Sequence, residues 1–76
     1  MKLNKDAVSR KIGARIRSIR NDKGLSMEKL ANDTGIEYSQ LSRIELGKIN
    51  TSIYHVYLIA NSLKVPLYDL FDPIQR

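Results

Sequence analysis

The sequence predicts an all-α fold, a compact bundle of about five short helices, and three observations lead there. Apolar residues recur at helical spacing in successive stretches; glycine, serine or proline punctuates each stretch; and no repeat, low-complexity tract or linker interrupts the pattern. A length of 76 residues supports one domain, near the lower limit at which a single core holds a fold. The domain is expected over residues 4–72, with a short tail at 73–76.

In the first helix, from Asn4 or Asp6 to Lys23, Val8, Ile12, Ile16 and Ile19 fall at i, i+4, i+8 and i+11, one apolar stripe. Either Asn4 or Asp6 can cap its start, and Gly24 stops it. Ser26, with Glu28 in the following turn, starts a second helix over Met27–Thr34 that buries Leu30 and Ala31. Gly35 ends it, and after Ile36 a third helix runs over Tyr38–Leu46 to Gly47. On a wheel of 100° per residue, Leu41 and Ile44 point one way, whereas Ser39, Ser42, Arg43 and Leu46 point the other. Thr51 or Ser52 caps a fourth helix, Ile53–Leu63, with Val56, Ile59, Ala60 and Leu63 inward. Pro66 opens a last short helix over residues 67–71, and Asp72-Pro73 ends the fold.

Composition narrows the function. There is no Cys and one His, so neither a disulfide framework nor a Cys/His metal site is expected; no cofactor and no small-molecule ligand is evident. The polar, basic start lacks an apolar signal region, and the longest apolar stretch, Val56 to Ala60, is far short of the ~20 residues that span a bilayer. A cytoplasmic protein with no membrane partner is expected. Net charge is +5, and Lys2, Lys5, Arg10, Lys11, Arg15, Arg17, Arg20 and Lys23 crowd the first third against Asp6 and Asp22 alone. Such asymmetry fits either a polyanionic partner, through counterion release, or a solvated helix face. No nucleophile and base pair, carboxylate dyad or glycine-rich phosphate loop points to an enzyme.

The informative stretch is residues 25–52, LSMEKLANDTGIEYSQLSRIELGKINTS. Two short helices joined by a glycine turn, the second with a polar outer face, make a helix-turn-helix arrangement. Ala31 is small where the helices cross, Gly35 permits the left-handed backbone of the turn, and Ile36, Leu41 and Ile44 anchor the second helix. The pattern resembles the phage repressor and Cro family of prokaryotic regulators, the XRE-type helix-turn-helix, over about residues 10–71. The residues that carry the resemblance are Ile16, Arg20, Gly24-Leu25-Ser26, Glu28, Leu30-Ala31, Gly35-Ile36, Ser42-Arg43-Ile44-Glu45, Gly47-Lys48, Asn50, Ser52, Ile59-Ala60, Leu63 and Leu70-Phe71. It implies a lambda repressor-like domain that binds double-stranded DNA as a transcription regulator. In size the chain is similar both to the controller proteins of restriction-modification systems and to stand-alone repressors of the family. Departures from the family pattern are Glu37 in place of a Ser or Thr cap, Thr51 in place of Pro and Lys64 in place of Gly.

Carried onto this sequence, the resemblance places the start of the base-reading helix at Tyr38 and Ser39 and a later reading position at Arg43, whose guanidinium can donate twice to guanine O6 and N7. Ser42 joins them as a weaker specifier, and Tyr38 can instead bond a phosphate or pack on a thymine methyl. Met27 is similar to the position that sets its backbone N–H on a phosphate, and Lys48, Asn50 and Thr51 are loop candidates for the same task. Arg20 and Glu45 match an internal ion pair of the family. His55, with no second ligand type nearby in sequence, reads as a surface or half-buried helix residue.

A homodimer on an inverted-repeat operator is expected from the C-terminal third. Tyr54, Leu58 and Asn61 form a second stripe on the fourth helix at i, i+4 and i+7, and Leu67 and Tyr68 match the region through which phage repressors pair. The alternative function is an antitoxin or protein-binding adaptor on the same fold, with a protein partner. RNA fits less well, because its deep, narrow major groove does not admit a helix.

Overall fold

A computed structural model describes residues 4–71. Lys2, the Asp72-Pro73 stop and the 73–76 tail lie outside the described residues. The order is α1 (Lys5–Asp22), α2 (Met27–Thr34), α3 (Tyr38–Leu46), α4 (Ile53–Leu63) and a 3-10 turn over Leu67–Leu70. These five helical elements meet the expectation of an all-α bundle of about five short helices, with two differences: the first is 18 residues long and the last is a 3-10 turn. The last element tightens because Pro66 enters it with extended backbone and its bonds close over three residues, Asp69 N–H to Pro66 O at 3.0 Å and Phe71 N–H to Tyr68 O at 3.0 Å.

Local chemistry fixes the ends. Asn4, not Asp6, caps α1, its Oδ1 accepting from Ala7 N at 2.8 Å. Ser26 Oγ accepts from Lys29 N, and Ser52 Oγ, not Thr51, from His55 N. Gly35 takes φ 77°, which an L side chain adopts only with strain, and turns the chain from α2 into α3 within three residues. Thr34 braces that turn: its hydroxyl donates to Leu30 O at 2.8 Å and accepts from Ile36 N at 3.2 Å.

Ile16, Leu30, Leu41, Ile59, Leu63 and Leu70 are fully enclosed, one or more from each element, so a single core joins all five. The α1 stripe enters it unevenly. Ile16 and Ile19 are buried, whereas Val8 and Ile12 are only half-buried. Arg15 Nε donates to Asp69 O at 2.9 Å and ties the 3-10 turn back to α1.

Where α1 crosses α3 the two backbones nearly touch. A Cβ at Gly13 would strike the carbonyl oxygen of Ile44 and lie 2.6 Å from that of Glu45, so no side chain fits there. Gly13→Ala gains about 1 kcal/mol of helix propensity. It must nevertheless push α3 away, and a net loss of about 1–3 kcal/mol is expected. Urea unfolding should show a lower midpoint at unchanged slope.

Candidate nucleic-acid interface

The outer face of α3 is defined by what holds its inner face. Leu41 and Ile44 are buried, Ile36 plugs the turn before them, and Glu45 is buried as well. A carboxylate there would be costly without a partner. Arg20 supplies one in a two-pronged contact: Nε donates to Glu45 Oε2 at 2.7 Å and Nη2 to Oε1 at 3.1 Å. Its remaining nitrogen, Nη1, donates to Leu25 O at 2.8 Å, just ahead of α2. The two side chains are only 11% and 5% exposed, so this pair is shielded from water.

With that face fixed, Tyr38, Ser39, Arg43 and Leu46 are exposed on the other. Ser42 is half-buried, in a recess it shares with Arg17, Met27 and Leu46, and so stands at the edge of the expected reading face. Gln40 turns away toward α4, where its Nε2 lies 3.4 Å from His55 Nδ1. His55 is half-buried, with Thr51 Oγ1 3.5 Å from the same nitrogen. Glu37 caps α3 by position only, its side chain making no capping bond.

The loop candidates separate by exposure. Lys48 and Asn50 are exposed after α3, and Asn50 Oδ1 accepts from Ser9 Oγ of α1 at 3.0 Å, which leaves the amide NH2 to donate outward. Thr51 is half-buried against His55. Met27 is half-buried at the first position of α2, where its backbone N–H leads the helix.

On α4 the exposed stripe differs from the expected one. Ile53, Tyr54 and Tyr57 are 66%, 65% and 57% exposed, and Asn61 is exposed one turn further on. Leu58 is half-buried, so the centre of the stripe is Tyr57, a residue the spacing from Tyr54 passed over. The signal was in the sequence: Ile53 and Tyr57 are also four apart. Tyr68 is exposed beyond the 3-10 turn, whereas Leu67 packs partly against the protein's own core. Among the described residues no group of three side chains could hold a metal ion, and no helix is long and apolar enough to cross a membrane.

A family model described as a helix-turn-helix domain matches residues 13–75, which take in α2, the Gly35 turn and α3. The chain belongs to this helix-turn-helix family. Among solved structures, it is similar to the restriction-modification controller protein C.AhdI from Aeromonas hydrophila. The TM-score is 0.79 and the identity 35%, over 82% of this chain and 94% of that one. It is also similar to the clp gene regulator ClgR from C. glutamicum, with a TM-score of 0.82 and 26% identity over 86% and 84% of the two chains. By sequence it is 40% identical over 62 residues to the HTH-type transcriptional regulator SlrR of Bacillus subtilis, covering 80% of this chain and 41% of that protein. A transcriptional regulator from the ATPase CF(0) region of Rhodospirillum rubrum is 32% identical over 65 residues, 86% of this chain and 60% of that protein. The chain therefore spans about half the length of these two relatives.

Because Arg20 and Glu45 are both desolvated, removing either leaves a buried charge alone. Arg20→Ala and Glu45→Ala should each cost well over the ~1 kcal/mol of an exposed pair, toward the ~3–5 kcal/mol of a broken buried one. A double-mutant cycle by thermal or urea unfolding should return a clear coupling energy, and Arg20→Lys should rescue little, since an ammonium cannot replace the fork.

Proposed function

We propose that this protein is a sequence-specific regulator of transcription that binds double-stranded DNA as a homodimer on an inverted-repeat operator. The observation that carries the reading is a short helix anchored on one side by Leu41, Ile44 and the Arg20–Glu45 pair, with Tyr38, Ser39 and Arg43 free on the other. A helix presented in that way fits the major groove of B-DNA. Arg43 carries the base reading, with Tyr38 and Ser39 at the leading end and Ser42 in a lesser part from its edge position. Met27 at the head of α2, and Lys48 and Asn50 beyond α3, meet phosphates on the two sides, and Thr51 contributes from its half-buried place. The helix-turn-helix relatives that bear regulator names support this assignment. The working unit is residues 4–72, acting in the cytoplasm.

The dimer rests on Tyr54 and Asn61 of the expected stripe, joined by Tyr57 and Ile53, with Tyr68 alongside and Leu58 and Leu67 at its margins. Three large apolar side chains exposed on one helix are more than a single core requires. A two-fold pairing would set two copies of α3 one DNA turn apart, about 34 Å.

Selection of duplexes from a random pool should return inverted repeats. Arg43→Ala should cost about 1–3 kcal/mol in binding and relax preference at one base pair per half-site, whereas Lys48→Ala should weaken all sequences alike. An unchanged ranking of operator variants in Arg43→Ala would remove Arg43 from the reading face. In sedimentation at micromolar concentration, the wild type should run as a dimer and a Tyr54→Glu, Tyr57→Glu variant as a monomer; two monomers or two dimers would overturn this interface.

A further inference from the structure

The arginines of α1 divide into two kinds. Arg15 and Arg20 are spent inside the fold, on Asp69 O and on Glu45 with Leu25 O. Arg10 and Arg17 are exposed and make no ion pair or side-chain hydrogen bond among the described residues. They do not point at random. Arg17 lines the recess that also holds Met27 and Ser42, so it stands between the head of α2 and the outer face of α3. On its other flank a trough between α1 and the end of α3 runs past Ala14 and Ser18 to Arg10, with exposed Leu46 as its far wall. Ala14 and Ser18 keep the trough open between α1 and Leu46, and two unpaired cations, Arg10 and Arg17, line it.

We infer that α1 supplies a second row of phosphate contacts, made by Arg17 and extended by Arg10. The inference rests on the DNA-binding reading above and adds residues to its footprint. Arg10 and Arg17 are seven residues apart, about 10 Å along the helix axis, a length over which one DNA strand presents about three phosphates. Glu45, the acid that lines the trough, is neutralised by Arg20, and Asp6 stands one turn beyond Arg10, so the positive field is strongest at Arg17. A backbone leaving the groove beside Ser42 and Leu46 meets Arg17 first and then Arg10. These contacts hold the duplex whatever its sequence, because they reach no base edge.

The test is binding of the full chain to a selected operator and to a random duplex across a salt series. The variants are Arg17→Ala, Arg10→Ala/Arg17→Ala, Arg17→Lys and, as a control, Lys23→Gln, an exposed cation at the far end of α1 beside α2 and α4. Arg17→Ala should lower the slope of log affinity against log salt by about 0.9 on both duplexes, and the double variant by about 1.8. Between about 50 and 200 mM salt, Arg17→Ala then loses roughly threefold less affinity than the wild type. Arg17→Lys should restore the slope, Lys23→Gln should leave it alone, and the ranking of operator variants should not move. A wild-type slope in both alanine variants overturns the inference while leaving the DNA reading intact. A changed ranking in Arg17→Ala overturns it too, by making Arg17 a base reader. If the wild type shows no salt-sensitive DNA binding, the DNA reading itself fails.

Discussion

Among the described residues Glu45 is the charged residue that the fold buries, and the rest of the structure is arranged so that it can be. A carboxylate taken out of water needs an opposite charge and hydrogen bonds in defined directions. The Arg20 fork meets both needs and, through Leu25 O, brings the approach to α2 into the same contact. Two helices and the connection leading into a third are thereby held at one point. Such a bond is directional, so it sets the rotation of α3 about its own axis as well as its distance from α1. Gly13 acts on the same crossing from the other direction, since the absence of its side chain lets the α3 carbonyls come within contact of α1. One constraint draws α3 in and the other sets how far. Whatever α3 shows to the outside follows from these two.

That dependence explains which features were legible in the sequence. The ends of α2, α3 and α4 lie where the residues place them, because Ser26, Gly35, Gly47 and Ser52 act within three or four residues of themselves. The inward sets of α3 and α4 were legible for a similar reason: helical period alone separates Leu41 and Ile44 from Arg43. Gly13 gave no such signal. A glycine inside a helical pattern says nothing of what it faces until the partner backbone is in place. Thr34 was equally silent, since its hydroxyl braces a turn only once Ile36 has folded back over it.

Exposure at the margins of the site was not legible, for a different physical reason. A wheel gives angles, but a neighbouring element decides where cover ends. Ser42 lies on the polar side by angle and is half-buried because it sits in a recess whose walls include Arg17 of α1 and Met27 of α2. Leu58 and Tyr57 are adjacent in sequence and differ in exposure because the flank of α4 near Leu58 is covered. The arginines of α1 show the same limit: Arg15 and Arg17 are two residues apart, and only the position of the 3-10 turn makes one an internal tie and leaves the other free.

The proposed two-fold arrangement has an energetic logic beyond the exposed tyrosines. One bidentate base contact discriminates by about 1–3 kcal/mol. To single out an operator among about a million competing sites takes roughly 8 kcal/mol, six factors of ten at about 1.4 kcal/mol each. One α3, with a single exposed arginine and small polar neighbours, does not reach that figure. Two copies rigidly linked read both half-sites in one event, so their discriminations add, to about 2–6 kcal/mol from two such contacts, which narrows the gap while the entropic cost of association is met once. Rigidity is essential to this sum, because a second α3 that could swing would lose its register with the groove. The Arg20–Glu45 pair and the Gly13 crossing fix α3 within each copy, and the exposed face of α4 would fix one copy against the other. On this view the buried ion pair and the exposed tyrosines serve one purpose, holding two arginines at a set separation.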